Sequence, residues 1–166
     1  MADETAQAPA AANGVDQPQQ QGPHMRLLGQ YLKDLSFESP NSPAILTKLN
    51  QKPEIKIDMN TRNKVVDQGL EVELTMKAEC TYNGEQGFLV EATYAATIAL
   101  NEGLNEQVKA ILVNVEVPQL LFPYIRALMS DLTAQGSFPP LVMQPLDFRA
   151  AFIKRVQEQA AKAQKQ

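Results

Sequence analysis

The sequence of 166 residues contains no tryptophan, one cysteine and one histidine. The single cysteine, Cys80, allows no internal disulfide, which suits a reducing compartment. One cysteine and one histidine do not supply the usual four ligands of a structural zinc site, and the position of His24 in a polar tail argues against a catalytic triad. Glycine motifs that bind nucleotide phosphates are also absent. We therefore predict a protein that is not an enzyme and binds no metal or other cofactor.

Positive charge and long apolar runs are scarce as well. Lysine and arginine number 15 against 19 acidic residues, which gives a formal net charge of −4, whereas nucleic-acid-binding proteins cluster positive charge. No stretch of about 18 apolar residues occurs, and Met1–Glu4 lacks the basic and apolar parts of a signal peptide. We expect a cytoplasmic protein that neither binds nucleic acid nor inserts into a membrane.

Composition divides the chain into three parts. Residues 1–24 are rich in Ala, Gln, Pro and Gly and show no apolar periodicity, so we predict a disordered N-terminal tail. Residues 25–158 carry regular apolar patterns and are numerous enough for one domain. Residues 159–166 lack an apolar anchor, and we expect them to form a frayed C-terminal tail.

Four segments alternate between apolar and polar residues, as strands with one buried face do. Leu70–Thr81 and Gln86–Leu100 alternate throughout and flank Asn83-Gly84, a strong hairpin signal. Two more strands are expected at Leu28–Glu38 and from Pro53 to Asn60. In the first of them, one face would carry Tyr31, Lys33, Leu35 and Phe37.

Helical periodicity replaces alternation in the second half of the chain. Apolar residues recur at helical spacing over Leu104–Val115, and Pro118 is expected to stop or bend this first helix. A second stripe covers Leu121–Leu132, with Pro123 tolerated only in its first turn and Gly136 placed to end it as the residue after the C-cap.

A third helix is expected after Asp147, whose side chain can cap its first turn. Strands followed by helices indicate an α+β domain, with a four-stranded antiparallel sheet and the helices packed on one apolar face. The polar face of the sheet would then point to solvent.

The outward face predicted for the sheet is mainly acidic. Such a face would steer a basic partner, but it would equally serve solubility and protect the sheet edges from aggregation. The pattern alone leaves both interpretations open. The acidic residues are Asp34, Glu38, Glu54, Asp58, Glu71, Glu73, Glu79 and Glu91, opposed only by Lys56 and Lys77.

Four stretches are distinctive when taken together. They are Tyr31–Asn41 (YLKDLSFESPN), Pro53–Asp58 (PEIKID), Leu120–Tyr124 (LLFPY), and Gly136–Pro139 (GSFP) with Asp147-Phe148. In this order and spacing they resemble the SecB family of bacterial protein-export chaperones. The resemblance implies a homotetramer, arranged as a dimer of dimers, that holds unfolded preproteins without ATP and delivers them to the translocation ATPase SecA.

The resemblance also implies roles for individual residues. Asp34, Glu38, Leu89 and Glu91 match family positions that dock the basic, zinc-bearing tail of SecA. Three further residues match positions whose side chains influence assembly, namely Val90, Ala92 and Tyr94.

A groove for unfolded clients is expected between the Ser39–Lys52 connection and the second helix. Aromatic rings give a large apolar contact with little demand for a particular client sequence. The core is the alternative place for Phe148 and Phe152, which lie four residues apart on one helix. The candidates for the groove lining are Ile45, Leu46, Phe122, Tyr124, Phe148 and Phe152.

Other functions remain open at this stage. A structural adaptor would also explain an acidic sheet with helices, but it would not slow the refolding of a foreign protein. A small-molecule carrier would enclose its ligand in an internal apolar pocket. Within the family, the alternative is a chaperone paired with a toxin–antitoxin system.

Overall fold

The computed structural model describes residues 24–163, and its first half is a four-stranded antiparallel sheet in the order β1-β4-β3-β2. This confirms the sheet predicted from the alternation. The predicted N-terminal tail, residues 1–24, lies outside the described residues except for His24. The strands are β1 (Met25–Glu38), β2 (Pro53–Val66), β3 (Gly69–Tyr82) and β4 (Glu85–Leu100), with a short 3₁₀ helix, Ala44–Lys48, between β1 and β2.

Two strands are longer than the pattern predicts. β1 already begins at Met25, and β2 continues past Asn60 to Val66. The added part of β2 brings Arg62 and Lys64 into the ladder with β3. These two cations therefore join the outward face of the sheet.

The predicted face of Tyr31 and Lys33 is wrong. The register of β1 against β4 shifts between Leu32 and Asp34, and the extra residue of such a bulge reverses the alternation. Tyr31 and Lys33 therefore lie on the outward face, whereas Phe37 stays on the inner face and packs against the core.

Pro118 does not separate two helices. Three segments, α1 (Glu106–Ile111), a π-helical turn (Leu112–Glu116) and α2 (Val117–Gln135), form one continuous helix. The N–H of Val117 donates to the carbonyl of Leu112, five residues back, and this wider turn accommodates the missing donor of Pro118 at the start of α2. Pro123 lies inside α2 rather than in a first turn.

This continuous helix, Glu106–Gln135, is long and apolar enough to span a membrane by length and composition alone. Core helices of globular domains pass the same test, and α2 packs across β4 and β3. Its residues Val117, Leu121, Ile125 and Met129 have no exposed surface and belong to the core cluster. The helix is therefore a core element of the domain.

Gly136 ends α2, but not as the residue after the C-cap. Gly136 is the C-cap itself with a negative φ of −74°, and Ser137 has the left-handed φ of 66°. The N–H of Phe138 donates to the carbonyl of Thr133, which completes a Schellman motif. Glycine is required at 136 for space, because an added Cβ would lie 2.3 Å from Cζ of Phe37.

The third helix, α3 (Phe148–Ala163), begins where the sequence predicts. The Asp147 Oδ1 atom accepts a hydrogen bond from the N–H of Ala150 at 2.8 Å, as an N-cap does. The helix runs past the predicted domain end at residue 158, so residues 159–163 continue it. Residues 164–166 lie outside the described part of the chain.

We predict that substitution destabilises the fold at Gly136 but not at Ser137. Gly136→Ala should lower the free energy of unfolding by about 1–3 kcal/mol, because the ring of Phe37 is held against Phe88 and Phe138 and cannot move away freely. Ser137→Gly should cause no loss, because glycine adopts positive φ without strain. Urea unfolding of both variants checks this, and a larger loss at Ser137 than at Gly136 would contradict it.

Candidate functional site

An apolar groove of about 400 Å³ lies on the helix side of the sheet, between β2 and the connection from α2 to α3. Alternate residues of β2 form one wall, and residues 141–146 form the other. Gln144 is the one polar residue of the lining. The groove is lined by Ile55, Ile57, Met59, Met76, Leu141, Val142, Met143, Gln144 and Leu146.

A smaller cavity of about 100 Å³ continues the groove toward the start of β2. It shares Ile55, Leu141 and Val142 with the larger cavity and adds Pro53, Phe88 and the Pro139-Pro140 pair. Cys80 also borders it but is almost completely buried, and burial raises the pKa of its thiol. The cysteine is therefore a buried apolar residue.

The groove is open and lies beside a free strand edge. Ile55 is 45% exposed, Ile57 42% and Val142 77%. β2 is the last strand of the sheet, so among the described residues no strand pairs with its outer edge. An extended polypeptide could place apolar side chains in the groove and form main-chain hydrogen bonds with this edge.

Three of the six predicted groove residues lie in the core instead. Ile45, Phe122 and Phe148 are buried, and the rings of Phe122 and Phe148 meet edge to face with centroids 5.8 Å apart. Leu46 and Phe152 are half-buried against the same core. The structure therefore does not gather these residues into a groove beside the 3₁₀ helix.

Tyr124 is the exposed member of the predicted set, with 44% of its surface accessible. Its ring stacks on Tyr94 of β4 with centroids 5.5 Å apart, and it does not line the groove beside β2. Val90 and Ala92, matched to assembly positions, have no exposed surface in the single chain. Any influence of these two on assembly would act through core packing.

The pattern gives no sign of the observed groove. The alternation with polar residues is the same for Ile55, Ile57 and Met59 as for residues that face a core. The sequence of residues 139–146 predicts only a proline-rich connection. Which strands a helix covers is a property of the tertiary fold, and α2 covers β4 and β3 but not β2. The three side chains are therefore core-like in sequence but accessible in the structure.

The opposite face of the sheet brings together the four residues implied to dock SecA. Leu89 of β4 pairs with Glu38 of β1 and with Glu79 of β3, so a half-buried leucine lies between two acidic residues. Glu91 and Asp34 follow on the same face. We call Asp34, Glu38, Leu89 and Glu91 the acidic patch.

The other end of this face carries cations beside its carboxylates. Lys33 and Lys64 place their ammonium groups 2.9 and 2.8 Å from Glu71 Oε2, and Lys33 also pairs with Glu73. The prediction that only two lysines oppose the acidic residues is therefore wrong, and negative charge concentrates around the acidic patch. The bulge in β1 and the longer β2 add Lys33, Arg62 and Lys64 to this face.

Glu71 is the centre of an ion-pair network that joins both edge strands to β3. Lys64 has the largest effect on the pKa of Glu71, and with Tyr31 and Lys33 it lowers this pKa to about 2. The bond to Glu73, followed by that to Glu71, raises the pKa of Lys33.

Within residues 24–163, no group of three His, Cys, Asp or Glu side chains could hold a metal ion.

We predict that the contribution of Glu71 to stability is lost in acid. A carboxylate with a lowered pKa stabilises the folded state above its unfolded pKa, and this stabilisation disappears as the pH falls from about 4.5 toward about 2. Glu71→Gln should therefore lower the urea midpoint at pH 7, with a smaller difference from wild type at pH 3. Glu79→Gln, on the same strand face, is the matched control, and an undiminished difference at pH 3 would contradict the network.

Comparison with known proteins gives one consistent family. The model of the preprotein translocase subunit SecB matches residues 18–159. A protein-export protein SecB of Rhodospirillum rubrum is 38% identical over 164 residues, covering 98% of this chain and 95% of that protein. Its counterpart in Mesorhizobium japonicum is 38% identical over 152 residues, covering 91% and 90%. The Xanthomonas oryzae pv. oryzae protein is 37% identical over 138 residues, covering 82% and 80%.

A solved structure shares the fold. It is a SecB-like chaperone of Mycobacterium tuberculosis in complex with a peptide from an antitoxin, with a TM-score of 0.62 and 16% identity. The match covers 74% of this chain and 91% of that one. At this identity the likeness concerns the fold alone.

Proposed function

The chain belongs to the SecB family, and we propose that it is an ATP-independent holdase that keeps preproteins unfolded for export. The observation that carries this proposal is the open apolar groove beside the free edge of β2. A protein that binds the unfolded state draws the folding equilibrium toward that state. Folding of the client is thereby delayed without ATP.

The chemistry of the groove suits many client sequences. Its walls are branched aliphatic side chains and three methionines, Met59, Met76 and Met143, and methionine adapts its shape to different partners. The edge of β2 would contribute main-chain hydrogen bonds, which do not depend on client sequence. Unfolded chains share exposed apolar side chains and unpaired backbone, so the groove recognises what they have in common.

We predict that polar substitution in the groove weakens client binding. Ile55→Ser combined with Ile57→Ser should raise the Kd for an unfolded preprotein by about tenfold, because it removes apolar area worth about 1–2 kcal/mol. The folded chain should lose little stability, since both side chains are nearly half exposed. Fluorescence anisotropy with a labelled unfolded precursor measures the Kd, and a refolding assay measures the delay.

The matched control is Val65→Ser, which makes the same kind of change on the same strand. Val65 is 84% exposed and does not line the groove. It should leave both the Kd and the refolding delay unchanged. Equal losses in the control and the groove variant would argue against a client site beside β2.

We further propose that the acidic patch docks SecA. A half-buried leucine within a rim of carboxylates suits a basic partner that carries an apolar anchor, since rim charges mainly speed encounter and the anchor supplies affinity. The acidic patch and the groove lie on opposite faces of the sheet. A client could therefore stay bound while SecA docks, as a handover requires.

We predict that Glu91→Lys abolishes binding of the basic tail of SecA but leaves client binding intact. The charge reversal places a positive charge in the acidic patch, where it repels the basic tail. In the wild type, binding of the tail should weaken as the salt concentration rises. Calorimetry with the isolated tail measures this. Glu102→Lys makes the same charge change in the turn after β4 and should bind normally; wild-type affinity in Glu91→Lys would remove the patch from the proposal.

Assembly would cover apolar surface that the single chain leaves open. Leu32 and Leu35 of the edge strand β1, and Leu120 and Tyr124 of α2, are all exposed. We propose that they are covered in a homotetramer built as a dimer of dimers in the cytoplasm, which would offer several grooves to one long client.

The rival functions explain less of the geometry. A small-molecule carrier encloses its ligand, whereas this groove is open along a strand edge. An adaptor has no need of an uncovered aliphatic groove. A toxin–antitoxin role is the remaining family alternative, but the relatives that are 37–38% identical carry the export name.

A further inference from the structure

We propose that the contact between Arg155 of α3 and Thr61 of β2 closes one end of the groove and so limits the length of unfolded chain that it holds. The inference rests on the proposed function of the groove. It assigns Arg155 and Thr61 as positioning residues for the client and α3 as the stop.

The position of Thr61 on β2 carries the argument. Ile55, Ile57 and Met59 face the groove at every second residue, and Thr61 is the next residue on that face. Its Oγ1 atom accepts a hydrogen bond from Nη1 of Arg155 at 2.8 Å. The guanidinium therefore lies where an extended client continuing past Met59 would have to pass.

Arg155 is also the last side chain that holds α3 in place. Phe148 at the start of the helix is buried, and Phe152 and Arg155 are half-buried. From Val156 to Lys162 every side chain is exposed. Loss of the Arg155 contact would therefore free the second half of α3 while its first turns stay anchored in the core.

The part of β2 that lies beyond this contact could bind a longer stretch of the client chain. β2 continues to Val66, and Val65, which is on the same face as the groove residues, is 84% exposed. From Met59 to Val65 the strand advances about 20 Å. With Arg155 displaced, the groove would gain this length and one further apolar contact.

A peptide length series tests the inference. Labelled peptides of alternating valine and glutamine are lengthened by two residues at a time, at either end, and their Kd is measured by fluorescence anisotropy. In the wild type the affinity should stop rising at about seven residues, the span from Pro53 to Met59. In Arg155→Met and in Thr61→Val it should continue to rise over about four to six more residues, with a total gain of about fivefold.

The controls separate release of the stop from other effects. Thr61→Ser keeps the accepting hydroxyl, and Lys154→Met removes an exposed cation one residue away; both should keep the wild-type limit. Adding Val65→Asn to Thr61→Val should remove the extra gain.

Two negative results have different meanings. A limit that stays at the wild-type length in both Arg155→Met and Thr61→Val would overturn the inference while leaving the groove as the client site. Failure of the wild-type protein to bind even the long peptides would instead overturn the proposed function.

Discussion

The sheet is wider than the long helix that packs on it, and this difference in width determines which apolar side chains stay exposed. Four strands at about 4.8 Å spacing form a sheet wider than one helix of about 10 Å diameter can cover. The single long helix packs over the two central strands, β4 and β3. The apolar inner faces of both edge strands therefore remain accessible, with Ile55 and Ile57 on β2 and Leu32 and Leu35 on β1. Most soluble monomers avoid such surface, and here it is the basis of the proposed function and of the proposed assembly.

The proposed function gives the two faces of the sheet separate tasks. On the outward face, the network around Glu71 ties β1 and β2 to β3 through Lys33 and Lys64. These bonds hold the edge strands without occupying the inner face, so stability does not depend on filling the groove. The rest of the outward face concentrates carboxylates around Leu89. A client and a basic partner therefore need not compete for the same surface.

The fold was largely predictable from the sequence, because β3 and β4 alternate without a break and Asp147 caps α3 where expected. Three features were not. The bulge before Asp34 reverses the alternation with no local sequence signal. The π-helical turn absorbs Pro118, whose ring and missing donor would ordinarily mark a helix end. The groove arises because α2 leaves β2 uncovered, so Ile55 looks like a core residue in sequence. Conversely, Ile45 and Phe122 were predicted to line the groove but are core residues.

Hydrogen–deuterium exchange of the protein with and without an unfolded preprotein tests the central claim most directly. The account predicts slower exchange at the β2 amides between residues 53 and 59 that do not bond to β3, together with slower exchange in the 139–146 connection. The amides around the 3₁₀ helix, Ala44–Lys48, should be unchanged. Protection around that helix and Phe122, with β2 unaffected, would contradict the claim that clients bind beside β2.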